Sequence, residues 1–126
     1  MKHILTAIFL WTAFCLNGHA QAKATFDKMT HEFGVVLWKH PATATFTIKN
    51  DGDKPLVISN VTTSCGCTVA DWTKEPIAPG KTGVVTSTFD AKALGHFYKD
   101  IGVYCNASDR PIYLALSGEV SADPKN

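Results

Sequence analysis

The chain has 126 residues, with 12 lysines and arginines against 11 aspartates and glutamates and a formal net charge of +1. A near-neutral balance without a basic run argues against a nucleic-acid binder or a protein held electrostatically on anionic lipid. The length suits one domain with a real hydrophobic core and is too short for two.

Met1, Lys2 and His3 form a short basic start, and an apolar run from Ile4 to Phe14 leads into "NGHAQA". This is the layout of a secretory signal peptide, and the run is about half the roughly 20 residues that a spanning helix needs. Ala20-Gln21-Ala22 fits the small-x-small cleavage pattern, so residues 1–22 are expected to be removed and the mature chain to begin at Lys23, with Gln21 as the alternative start. The expected product is periplasmic or secreted, without an integral membrane span. Lipid anchoring at Cys15 is not expected, because Phe14 stands where a lipoprotein site needs a small residue and Thr12 where it needs a leucine. Removal of the leader takes away Lys2 and no acid, leaving eleven basic and eleven acidic side chains.

Beyond the leader, short alternating runs are separated by Gly, Pro, Asn and Asp, with no long stretch of helical period, which predicts an antiparallel sandwich or barrel. The runs are "TFDKM", "HEFGVV", "ATFTIK", "LVISNV", "CTVAD", "VVTSTF", "FYKDIGVY" and "IYLALSG". Seven or eight strands in about 100 residues is the size of an immunoglobulin-like sandwich, placed over residues 23–120 with a polar tail at 121–126. Alternation directs Ala42, Ala44, Phe46 and Ile48, then Val85, Ser87 and Phe89, then Phe97, Ile101, Val103 and Cys105, and finally Ile112, Leu114 and Leu116, toward one interior. "NDGD" supplies turn chemistry, and Leu56 is expected to open the next strand. Pro76, Pro79, Gly80 and Gly83 make a loop before "VVTSTF".

Tyr98, Tyr104 and Tyr113 fall on outward faces of two strands expected to be neighbours. They read either as cross-strand pairs, which is preferred, or as a surface for a protein partner.

The stretch "TTSCGCT" places Cys65 and Cys67 one glycine apart. Side chains two apart on an extended strand face the same way with Cα atoms roughly 6.5 Å apart, near the upper limit for a disulfide, so pairing needs a bend at Gly66. A structural role, as a disulfide or as packed thiols closing a strand, is preferred. Two alternatives stay open. A tight ring is a reducible one, which allows redox chemistry. Two thiolates also suit copper(I) or zinc, with His31, His40 or His96 as a further donor, although no histidine stands at ligand spacing. Cys105 leaves an odd thiol, expected to be free and buried. Neither a G-x-S-x-G, a phosphate loop nor an H-E-x-x-H occurs, so no catalytic residue and no cofactor is expected.

The order "HEFGVV", "FTIKNDGDKPLVI", "SCGCT", "EPIAPGKTGVV", "FDAKALGHFYKDIGVYCN" and "LALSGEV" resembles the bacterial family called domain of unknown function 1573. The resemblance runs from about Phe26 to Val120. It implies an exported immunoglobulin-like sandwich related to the ASH and major-sperm-protein-like domains, and through their roles in assembly it implies a non-catalytic module that binds other proteins. Cys105 departs from the pattern, which more often has a small hydroxyl residue there.

Overall fold

The structure, a computed structural model, describes residues 21–123. Residues 1–20 of the expected leader, with Cys15, and the last three residues of the tail lie outside them. Eight strands form: β1 (Ala24–Phe26), β2 (Thr30–Leu37), β3 (Ala42–Asn50), β4 (Ile58–Thr63), β5 (Thr68–Trp72), β6 (Thr82–Phe89), β7 (Gly95–Cys105) and β8 (Ile112–Ser121). They pack as two four-stranded sheets, in the orders β1-β3-β6-β5 and β2-β8-β7-β4. The chain therefore changes sheets at each connection from β1 to β5, the last of these being the cysteine turn between β4 and β5, and once more between β6 and β7. Five of the strand pairs are antiparallel, and β2 runs parallel to β8. The architecture is the immunoglobulin-like sandwich that the alternation predicts.

Period-two alternation builds the core. Phe46 and Ile48 on β3, Val85 on β6, Ile101 and Val103 on β7, and Leu114 and Leu116 on β8 are all fully buried. Each such side chain contributes on the order of 1.5–3 kcal/mol of hydrophobic stabilisation. Ser87 shares this interior, 1 % exposed, and its hydroxyl has no hydrogen-bond partner.

Three boundaries differ from the sequence expectation. Leu56 does not open β4; it makes a single bridge to Ile77, with hydrogen bonds in both directions, and is fully buried while the strand starts at Ile58. The rigid Pro55 before it and the proline-bracketed "PIAP" opposite leave room for one bridge and no ladder. The folded unit also begins before Lys23: Ala22 is buried in the core, and Asp53 N–H donates to Gln21 O at 3.0 Å. At the other end β8 continues one residue further, to Ser121, whose carbonyl accepts from Trp38 N–H.

Asn50 closes the pole where the chain enters. Read in the sequence as a turn residue, it is fully buried at the end of β3. Its Nδ2 donates to Lys54 O (2.7 Å) and Ile77 O (2.9 Å), and its Oδ1 accepts from Gly52 N–H (2.9 Å). The Gly52 contact is the local Asx bond of a turn, while the Ile77 contact reaches across to the proline loop.

Candidate functional site

β4 ends at Thr63, and Ser64–Cys67 make the crossing into β5. Both sides of the crossing are tied down. Ser64 N–H donates to Asp100 O, Asp100 N–H donates back to Ser64 Oγ, and Asp90 N–H donates to Cys67 O at 2.9 Å. Thr63 Oγ1 sits within bonding distance of Cys65 O and Thr68 O. In this turn Cys65 and Cys67 form a disulfide with Cα atoms 5.3 Å apart, closer than an extended strand allows. They therefore do not close β4 as strand residues packed against the opposite sheet. Both are half-buried, and Cys67 alone of the two packs against the core.

The pairing does not rest on a left-handed bend at Gly66. This residue is not in the left-handed region, and nothing lies within 4 Å of where a Cβ would stand. The bend is distributed over the turn, and the glycine leaves its outer side open to solvent.

Thr68, the first residue of β5, is 5 % exposed, and its Oγ1 lies 3.9 Å from Cys65 Sγ and 3.8 Å from Cys67 Sγ. A disulfide sulfur has no hydrogen to give, so the hydroxyl is the donor. One buried O–H thus serves both sulfurs.

Cys67 also forms part of the wall of a cavity of about 240 Å³ shared with Phe89, Phe97, Lys92, Lys99 and His96. Phe89 and Phe97 stack at 4.1 Å between centroids. The loop over the cavity is held by an unusual backbone: Ala91 is fully buried with φ 56°, and Lys39, with φ 63°, donates its N–H to Ala91 O. Trp38 Nε1 donates to Lys92 O at 3.0 Å. Strain of this kind in a non-glycine residue persists only where surrounding contacts over-determine it. Nothing in the sequence marked Ala91.

The remaining candidates lie apart. Cys105 is free and buried, 8 % exposed, opposite Ile58 at the far end of β4. Seven residues of extended chain put it on the order of 20 Å from the cysteine turn, out of reach of either sulfur. Among the described residues no three His, Cys, Asp or Glu side chains converge on a metal position. His31 packs edge-on to Phe33 at 4.5 Å and takes Lys28 Nζ on its Nδ1 at 2.8 Å; burial first, and then the Lys28 charge, lower its pKa below the ordinary 6.5. His40 lies in the β2–β3 connection, whereas His96 belongs to β7 and not to a turn.

Tyr98 and Tyr113 are 64 % and 61 % exposed and Tyr104 40 %, on the outer face of the second sheet. Their cross-strand partners are Ser117, Gly102 and Asn60, so the tyrosines do not pair with one another as preferred from the sequence. The strands are neighbours, but their register sets each ring against a small or polar residue. Tyr113 lies over Gly102, where an added Cβ would stand 3.5 Å from its Cε1.

The two packed four-stranded sheets define an immunoglobulin-like β-sandwich. The ASH/PapD-like domain 7 of human CEP192 superposes with a TM-score of 0.68 at 10 % identity, covering 82 % of this chain and 89 % of that one. A protein of unknown function from Porphyromonas gingivalis W83 gives 0.70 at 21 % identity over 85 % of this chain, which spans about half (51 %) of the other's length. The secreted serine protease VesC from Vibrio cholerae gives 0.60 at 13 % identity, covering 78 % of this chain and 23 % of the protease. At these identities the likeness shows the fold alone. No curated protein matches the chain. The chain belongs to the family described as "Protein of unknown function (DUF1573)", whose profile covers residues 24–120.

Proposed function

We propose that this is an exported, non-catalytic sandwich module that binds a protein partner on the outer face of β7 and β8. The observation that carries the reading is the outward placement of Tyr98, Tyr104 and Tyr113, each set against a small or polar neighbour and not against another ring. Rigid amphipathic aromatics are enriched at the centres of protein interfaces, where they supply large contact area at low entropic cost. The ASH/PapD-like likeness and the absence of a catalytic motif agree with a binding role. Export rests on the leader pattern of residues 1–22.

Photo-crosslinkers placed at positions 98 and 113 in cells identify the partner, and the purified pair then gives an affinity. Truncation of both Tyr98 and Tyr113 to Ala is expected to weaken binding by about tenfold or more. An affinity unchanged by the double truncation overturns the reading.

A further inference from the structure

We propose that the Cys65–Cys67 disulfide is a thiol–disulfide exchange site that oxidises a dithiol presented by a partner segment entering the cavity beside Cys67. The inference goes beyond the binding reading and does not depend on the tyrosine face.

Direction of attack follows from which sulfur the cavity reaches. Displacement at a disulfide needs the incoming thiolate in line behind the sulfur it attacks. Of the two cysteines only Cys67 borders the cavity, so attack at Cys67, with Cys65 as the leaving group, is the direction proposed. Lys92, Lys99 and His96 share the cavity with a single carboxylate, Asp90, a balance that favours an anionic nucleophile and acidic flanking residues. The stacked Phe89 and Phe97 give an apolar wall for the rest of the segment.

The leaving group is provided for as well. The Thr68 hydroxyl stands 3.9 Å from Cys65 Sγ with its proton free to turn toward either sulfur. To a disulfide it gives a weak bond; to a thiolate it gives a charge-assisted one, so it favours the reduced pair over the oxidised one. The open side of Gly66 leaves the turn room to relax once the ring is cut.

The steps balance without any other reagent. The partner's first thiolate attacks Cys67 Sγ, forming an intermolecular disulfide while the Cys65–Cys67 bond breaks and Cys65 departs as a thiolate. The partner's second thiolate then attacks its own mixed-disulfide sulfur and releases Cys67 as a thiolate. The partner loses two electrons and its two thiol protons in becoming a disulfide; Cys65 and Cys67 gain the electrons, Cys67 takes one proton, Cys65 stays a thiolate on the Thr68 hydroxyl, and the other proton goes to solvent.

The test uses the folded domain and an acidic two-cysteine peptide. In glutathione buffers of graded ratio, followed by alkylation and mass spectrometry, Cys65 and Cys67 are expected to become reduced while Cys105 stays unlabelled. A bond that resists every glutathione ratio overturns the proposal. At a fixed ratio, Thr68→Val is expected to lower the reduced-to-oxidised ratio about tenfold, the worth of one hydrogen bond to a charged group, and Thr68→Ser to restore it; a Thr68→Val protein with the wild-type ratio removes the role of the hydroxyl. In single-thiol variants whose remaining cysteine is first charged with thionitrobenzoate, a one-cysteine form of the acidic peptide is expected to displace thionitrobenzoate and form its mixed disulfide faster on Cys67 (in Cys65→Ser) than on Cys65 (in Cys67→Ser). The opposite order overturns the assigned direction. Because the tyrosine face is intact throughout, failure here leaves the binding reading standing, and failure of that reading leaves this one.

Discussion

Asn50 donates its side-chain amide to the carbonyl of Ile77, 27 positions away, from a site with no exposure to solvent. The bond ties the end of β3 to the proline loop, and the companion bonds to Lys54 and Gly52 leave no hydrogen-bonding group of that amide unmet. Asn50→Ala removes both donated bonds, leaving Ile77 O with Leu56 N–H alone, and takes the Oδ1 acceptor from Gly52 N–H; lost bonds of this kind cost about 1–3 kcal/mol each where the group left behind is buried. Urea denaturation of the variant is expected to show a loss of about 2–4 kcal/mol. Asn50→Asp should be no better, because a carboxylate cannot donate to Ile77 O.

Ser87 is the opposite case. Its buried hydroxyl has no partner, opposite Ala44 on one neighbour and Ala70 on the other. Ser87→Ala removes a desolvated group without opening a cavity, so stability is expected to rise by about 1 kcal/mol in the same assay. A loss would show that the hydroxyl is satisfied in solution.

The folded state disfavours the charged form of His31, through burial and then the Lys28 charge, so its pKa lies below the ordinary 6.5. With the folded pKa lowered, the unfolded chain takes up the proton first as pH falls. The contribution of His31 is therefore fully present above about pH 6.5, is lost as pH falls through that value, and levels off below the folded pKa. An NMR titration should place the His31 midpoint below that of a free imidazole and move it upward in Lys28→Ala.

If residues before Lys23 are a cleaved leader, as the sequence suggests, Ala22 and Gln21 bear on where the cut falls. A chain starting at Lys23 loses a buried methyl and the Asp53 to Gln21 hydrogen bond. Proteins starting at Gln21 and at Lys23 are expected to differ by about 1–2 kcal/mol in favour of the longer one. Mass spectrometry of the exported protein should find Gln21 at its start, cyclised or not.

Gly66→Ala is expected to keep the disulfide and to change stability by less than about 1 kcal/mol, since neither its φ nor its surroundings exclude a side chain. Gly102→Ala, whose Cβ would stand 2.8 Å from Thr62 Oγ1, should destabilise the domain and disturb Tyr113.

Alternation made the strands and their inward faces legible: Phe46, Val85, Ile101 and Leu114 needed nothing beyond the two-residue period. What the sequence left open is what depends on register and on contacts between distant segments. The tyrosines were placed on the right face, but only the pairing of Tyr113 with Gly102 shows that they stand apart. The cysteines were seen, but the Thr68 hydroxyl beside them and the Ala91 loop across from them belong to long-range geometry that no local pattern encodes. Asn50 looked like any turn asparagine because its Gly52 bond is local, whereas the Ile77 bond is not.

The parallel pairing of β2 with β8 sets how the two ends of the domain are placed. Both strands point the same way, so the polypeptide enters at one pole, beside Asn50 and Gly52, and leaves from the other, beside Trp38. The ten residues of β8 span on the order of 30 Å. The points where the chain enters and leaves the domain are thereby held about a domain length apart.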